Sequence, residues 1–165
     1  MVVRPAGAIT RTFGVGNPST EWEDGADGLF GRARELVNLQ AAIDEAAAGR
    51  PAIVLLVGEA GIGKTRLVDR AAVLARDSGM RVLRGEGDAA ARGPMELWRG
   101  VFRALRMVPT SDPSLPAQER RWEQLESLVD ALQASAPAAV FLEDLHWADA
   151  IAVWVLERLP RARLS

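Results

Sequence analysis

The apolar residues of the chain fall into two patterns, short compact segments and longer stretches with helical spacing. Compact segments of branched apolar residues are typical of buried strands, whereas apolar residues that recur every three or four positions predict amphipathic helices. Three segments predict strands, over residues 52–57, 80–84 and 138–142. Five stretches predict helices, over residues 33–48, 65–78, 94–107, 117–135 and 150–159. This alternation predicts an α/β domain with a parallel sheet of about three strands, in which right-handed crossovers place the first two strands beside the third.

The N-terminal residues lack either pattern. Residues 1–27 are rich in Gly, Pro, Thr and Asp, a composition that is typical of flexible segments. We therefore predict a flexible leader over residues 1–27 and one domain over residues 28–165.

Composition and charge exclude several classes of protein. The net charge of −2 argues against a nucleic-acid-binding surface on this chain. The absence of cysteine excludes a disulfide framework and a cysteine-based metal site, and it fits a cytoplasmic location. No apolar run is long enough to cross a bilayer, so we expect no membrane contact.

Residues 58–65, GEAGIGKT, fit the phosphate-binding loop pattern of Gly, four residues, Gly, Lys and Ser or Thr. The loop lies between a predicted strand and a predicted helix, as the motif requires. Its glycines allow a tight turn, so that successive N–H groups can converge on phosphate oxygens. Lys64, the only lysine in the chain, is expected to reach the β- and γ-phosphates, and the Thr65 hydroxyl to ligate Mg²⁺. The predicted nucleotide-binding residues here are Gly58, Glu59, Ala60, Gly61, Ile62, Gly63, Lys64, Thr65 and Arg66.

A pair of acids follows the third predicted strand. Glu143 and Asp144 stand at its carboxyl end, the edge at which open α/β sheets bind ligands. One acid would hold Mg²⁺ opposite Thr65, and the other would polarise the attacking water. Glu143 occupies the first acidic position, whereas Asp144 is the residue type usual there, so both assignments stay open.

Two other segments have less specific interpretations. Gly31 and Arg32 precede the first helix and belong either to a cover over the adenine or to an ordinary packing helix. His146, the only histidine, either senses the γ-phosphate or forms a structural hydrogen bond, which we favour. Asp149 is predicted to be the N-cap of the last helix.

Three stretches together resemble the ATP-binding domain of the large LuxR-type transcriptional regulators of bacteria, an AAA-like domain of the STAND class of signal-transduction ATPases. They are residues 30–32 (FGR) with Glu35, residues 58–67 (GEAGIGKTRL) and residues 142–149 (LEDLHWAD). The tail LHWAD is the most specific part, and the resemblance covers about residue 29 to the end. It implies that Gly31 and Arg32 lie near the adenine and that Glu143 and Asp144 are the acidic pair.

The same resemblance implies a function and a fold. Binding and hydrolysis of Mg-ATP would switch a multidomain regulator, whose DNA-binding module lies outside this segment. Whether the chain forms a homo-oligomer stays open. The implied fold is a three-layer P-loop domain. In that class further strands, a polar sensor and a helical subdomain follow the acidic pair. We therefore expect an N-terminal fragment, incomplete at its C-terminus, marginally stable or aggregation-prone, and a slow ATPase at best.

Two alternatives stay open. A small P-loop kinase would need a basic lid, for which Arg120 and Arg121 are candidates, although the LHWAD tail argues against it. A nucleotide-binding or interaction module that never turns over is favoured by the missing sensor elements.

Overall fold

A computed structural model describes residues 9–15, 31–87, 96–107, 114–145, 154–156 and 158. In chain order the elements are β1 (Ile9–Gly14), α1 (Ala33–Ala47), β2 (Ala52–Val57), α2 (Lys64–Asp77), β3 (Arg81–Glu86), a short 3-10 helix (Glu96–Trp98), α3 (Arg99–Leu105), α4 (Ala117–Ala134) and β4 (Ala138–Glu143). The α/β class is confirmed, and the three predicted strands and first four predicted helices all have counterparts. Much of the fifth helix lies outside the described residues. None of the described helices is long and apolar enough to span a membrane.

The strands pair in a different way from the one that we predicted. β1 pairs with β2 and β3 pairs with β4, both in parallel, so the described strands form two sheets of two strands each. The predicted neighbourhood of β3 and β4 is confirmed, but the prediction that β2 neighbours β4 is wrong for the described strands. Instead, β2 pairs along one edge with an N-terminal strand, which the sequence analysis did not predict because the composition around residues 9–14 is typical of flexible segments.

The prediction of a flexible leader over residues 1–27 is wrong for part of that range. Residues 9–14 form β1, with Ile9 opposite Ala52 and Gly14 opposite Val57. The ladder continues for one more residue, since the Val15 N–H donates to the Val57 carbonyl at 2.6 Å. Parallel pairing satisfies backbone groups along one edge of β2, and this stabilises a segment whose composition alone predicts flexibility. The boundary between leader and domain stays a prediction.

The described residues form two core clusters. The first joins α1 and α2 to β2 and to one face of the β3–β4 sheet; its members include Val15, Leu39, Ile43, Val54, Leu67, Ala71, Ala75, Val82 and Phe141. The second joins the opposite face of β3–β4 to the 3-10 helix, α3 and α4; its members include Leu83, Trp98, Val101, Phe102, Leu125, Leu128 and Val140. The β3–β4 sheet thus contributes to both clusters, as alternating side chains of a strand allow. A single sheet with three complete layers stays a prediction.

The two sheets differ in how fully they are covered. Val54 and Leu56 of β2 pack against the first cluster. The alternate residues of the same strand, Leu55 and Val57, point to the opposite face, and these residues are 37% and 51% exposed. β2 therefore carries apolar side chains that the described residues leave in contact with solvent.

Candidate functional site

The segment between β2 and α2 has the predicted strand–loop–helix arrangement. β2 ends at Val57, and α2 begins at Lys64 with Gly63 as its N-cap. Gly61 and Gly63 have φ angles of 78° and 97°, in the left-handed region that residues with a Cβ rarely adopt. The glycines at these two positions are therefore required by the path of the backbone through the loop.

Gly58 is required for a different reason. A Cβ on Gly58 would lie 2.5 Å from the carbonyl oxygen of Val15, far inside van der Waals contact. The chain that leaves β1 thus passes directly over the base of the loop. The pairing of β1 with β2 and the glycine at position 58 depend on each other.

Lys64 folds back onto its own loop. Its Nζ donates to the carbonyl oxygens of Gly58 and Glu59, at 2.8 and 2.7 Å. When a phosphate group binds in the loop, Lys64 would exchange these two carbonyl acceptors for phosphate oxygens, to which a charged donor binds more strongly.

The start of α2 provides further donors. The first intrahelical bond runs from the Leu67 N–H to the Gly63 carbonyl, at 3.1 Å. The N–H groups of the first turn precede it and have no partner within the helix. No side chain caps them, and the first turn of α2 contains no acidic residue. Thr65 and Arg66 are exposed there, so the positive end of the helix dipole faces solvent next to the loop.

Arg32 contacts the loop from below. It is buried at the N-cap of α1, and its Nη2 donates to the Ile62 carbonyl at 2.7 Å. Its Nη1 forms an ion pair with Glu35 Oε1 at 3.1 Å. Gly31 precedes it with a φ of 66°. The sequence marks Arg32 as a candidate, but it does not reveal this contact, because the acceptor is a backbone carbonyl 30 residues away. The position of Gly31 and Arg32 beside adenine stays a prediction.

The acidic pair stands at the end of β4, as predicted. Glu143 is the last residue of the strand and lies opposite Glu86 of β3. Asp144 follows it, is exposed, and has a φ of 54°. A left-handed residue other than glycine is uncommon, although aspartate tolerates this conformation better than most residues, and such residues cluster at functional sites.

Glu143 belongs to a chain of charges that the sequence analysis missed. Nη1 of Arg84 lies 3.7 Å from Glu143 Oε1, and Nη2 of Arg84 lies 2.7 Å from Asp69 Oδ1. Asp69 is on α2, which packs against β3 and β4. Arg84 thus joins the helix that follows the loop to the strand that carries the acids. Arg84 directly follows the apolar residues Val82 and Leu83 of β3, and this is the sequence signal that could have pointed to its role.

The donor chemistry of the predicted metal ligands fits Mg²⁺. Thr65 offers a hydroxyl oxygen, and Glu143 and Asp144 offer carboxylate oxygens, the hard ligands that Mg²⁺ prefers. Within the described part of the chain, no group of three or more histidine or acidic side chains is placed to hold a metal ion by itself. Mg²⁺ in nucleotide sites commonly uses one or two carboxylates together with phosphate oxygens and water. His146 and Asp149 lie outside the described residues.

Comparison with known proteins gives one match. The family model described as AAA ATPase domain matches residues 28–164. No curated protein and no solved structure matches the chain. The matched residues include the phosphate loop and the acidic pair and make up most of the chain. The chain therefore belongs to the AAA ATPase domain family, and this membership implies that it binds a nucleotide.

Proposed function

We propose that this chain binds Mg-ATP at the phosphate loop, with the capacity for hydrolysis, and that it is the nucleotide switch of a LuxR-type transcriptional regulator. The observation that carries the binding proposal is the geometry at the start of α2. The Lys64 ammonium lies in one loop with two left-handed glycines, next to the uncapped N–H groups of α2. The family to which the chain belongs binds nucleotides.

Each loop residue has a task in this proposal. The ammonium of Lys64 leaves the Gly58 and Glu59 carbonyls and binds the β- and γ-phosphates. The N–H groups of the loop and of the first turn of α2 donate to phosphate oxygens. The Thr65 hydroxyl and one acid of the pair would hold Mg²⁺, which when bound supplies positive charge to the phosphate oxygens.

The two acids differ in ways that suggest separate tasks. Glu143 is half-buried and shares Arg84 with Asp69 of α2, so its carboxylate lies on the side of the sheet that faces α2. We assign Glu143 to the cation next to Thr65. Asp144 is exposed one residue later, where successive residues point in different directions. We assign Asp144 to the attacking water, which it would orient and whose proton it would accept.

The regulatory part of the proposal rests on the sequence alone. The LHWAD tail resembles the LuxR-type regulators, and residues 146–149 of it lie outside the described residues. A cytoplasmic location, a DNA-binding module elsewhere in a longer regulator and self-association belong to this part of the proposal.

One observation favours a second candidate, a nucleotide-binding module without turnover. Lys64 is bound by carbonyls of its own loop, and Glu143 is paired with Arg84, so two groups needed for hydrolysis have partners within the protein. A kinase gains no such support. Arg120, one of its two candidate lid residues, donates a hydrogen bond to the Leu115 carbonyl just before its own helix.

The test is a titration with a fluorescent ATP analogue and Mg²⁺, together with an assay of phosphate release. Lys64→Ala should weaken binding at least about tenfold, because it removes a charged donor. Arg76→Ala, which removes one charge from the far end of α2, is the matched control and should bind normally. Release of phosphate by the wild type would favour the ATPase, and binding without release the second candidate. A wild-type chain that does not bind would contradict both.

A further inference from the structure

Arg32 is a buried charge whose position is fixed by two contacts. Its side chain is 5% exposed, and it donates to the Ile62 carbonyl at 2.7 Å and to Glu35 Oε1 at 3.1 Å. A buried guanidinium is strongly destabilising unless its hydrogen bonds are satisfied. The fold therefore keeps Arg32 in this place only as long as both acceptors stay where they are.

Glu35 holds one side of the guanidinium. It stands three residues after the N-cap, in the first turn of α1, where the helix dipole stabilises a negative charge. With this carboxylate on Nη1, Nη2 is directed at the loop. The planar guanidinium makes the two contacts interdependent, which a lysine at the same position could not reproduce.

The acceptor on the loop is the informative part. Ile62 lies between Gly61 and Gly63, the two loop residues with left-handed backbone angles. Its side chain packs against the first core cluster, while its carbonyl binds Arg32. In a planar trans peptide the carbonyl and the next N–H point in opposite directions. Holding the Ile62 carbonyl toward Arg32 therefore directs the Gly63 N–H away from Arg32.

Glycines on either side would otherwise let this peptide rotate easily. We propose that Arg32, held by Glu35, is a positioning residue that fixes the peptide between residues 62 and 63, so that the Gly63 N–H is set in advance toward a nucleotide phosphate. This inference rests on the proposed function, because it assigns to Arg32 an effect on the phosphate loop. It differs from the role beside adenine that the family resemblance implies.

A ligand without a base separates the two roles. Calorimetric titrations with inorganic tripolyphosphate and with Mg-ATP are compared for the wild type, Arg32→Ala, Arg32→Lys, Glu35→Gln and Arg34→Ala. Arg34 is an exposed arginine two residues away and serves as the matched control. Arg32→Ala should weaken the binding of both ligands by the same factor, about tenfold, because the mispositioned Gly63 N–H loses its hydrogen bond to phosphate. Arg32→Lys and Glu35→Gln should show smaller losses, again equal for both ligands, and Arg34→Ala none.

A second measurement reports on the peptide itself. The amide signal of Gly63 in the ¹⁵N-labelled, ligand-free protein should shift in Arg32→Lys and stay unchanged in Arg34→Ala. Arg32→Lys keeps the positive charge, so the measurement also covers the case in which Arg32→Ala does not fold.

Several outcomes would overturn the inference. A loss of affinity for Mg-ATP alone, with the affinity for tripolyphosphate unchanged, would place Arg32 beside the adenine base. Unchanged binding of both ligands, or an unchanged Gly63 signal in Arg32→Lys, would remove its positioning role. A wild type that binds neither ligand would overturn the proposed function itself, and the Gly63 signal would then decide the geometric part alone.

Discussion

The carboxyl ends of β2 and β4 carry the two halves of the candidate site, and the fold holds them in different ways. The loop after β2 is held by the hydrogen bond from the buried Arg32 and by the close passage of Val15 over Gly58. At the end of β4, Glu143 is held by partly exposed charges, because the side chains of Arg84 and Asp69 are 40% and 56% exposed.

This difference has energetic consequences. Exposed ion pairs contribute about 0–1 kcal/mol, whereas removal of one partner from a buried pair costs about 3–5 kcal/mol. The loop should therefore hold its shape without ligand, whereas the acidic end should rearrange when a cation arrives. The comparison teaches that the loop after β2, the phosphate half of the site, is built in advance. The acidic end of β4, the metal half, is completed by its ligands.

The largest expected effect separates turnover from binding. Asp144→Asn should lower phosphate release by about 100-fold or more, because the amide cannot accept a proton from water. Binding of Mg-ATP should change less than about twofold, since the loop alone supplies most of the phosphate contacts. Phosphate release at saturating Mg-ATP and an equilibrium titration measure the two effects. A loss of binding as large as the loss of turnover would show that the two halves do not act separately.

The next effect concerns the rigidity of the loop. Gly58→Ala should lower the free energy of unfolding by about 1–3 kcal/mol, because the new methyl group meets the Val15 carbonyl and must displace β1. Gly61→Ala is the control for backbone conformation: nothing lies within 4 Å of its Cβ, and the left-handed angle costs about 1 kcal/mol. Urea denaturation measures both values. A smaller effect at position 58 than at position 61 would mean that the end of β1 does not press on the loop.

The smallest effect concerns the acidic end. Arg84→Ala should strengthen Mg²⁺ binding in the presence of nucleotide by about threefold, because it removes a cation that competes for Glu143, and exposed pairs are weak. Asp69→Asn should do the reverse, since Arg84 then loses its nearer partner and moves toward Glu143. Titration of phosphate release with Mg²⁺ measures both, and high salt should suppress both effects. Shifts in the same direction for the two variants would contradict the competition.

The local features of the fold could be predicted from the sequence because they depend on neighbouring residues. The strand 52–57 followed by the glycine loop marked the end of β2 and the start of α2 within one residue. The apolar spacing of residues 94–107 predicts an amphipathic helix, and Trp98 and Val101 in that spacing are fully buried. In each case the residue types within one element were enough to predict its position.

The features that the sequence analysis missed depend on contacts between distant residues. β1 is a six-residue strand within a stretch of Gly, Pro and Thr, and its stability comes from pairing with β2, about 40 residues later. The target of Arg32 is a main-chain carbonyl, which no residue type marks. The Arg84 ion pairs join α2, β3 and β4, and they depend on the pairing of β3 with β4 and on the packing of α2 against both strands.

The most direct test of a phosphate half built in advance is the binding of inorganic tripolyphosphate without Mg²⁺. It compares the wild type with Lys64→Ala and Asp144→Asn by calorimetry. We predict that the wild type and Asp144→Asn bind equally well and that Lys64→Ala loses most of the affinity. Binding that requires Mg²⁺, or that falls as much in Asp144→Asn as in Lys64→Ala, would contradict the account, because the loop would then need the acidic end to form its site.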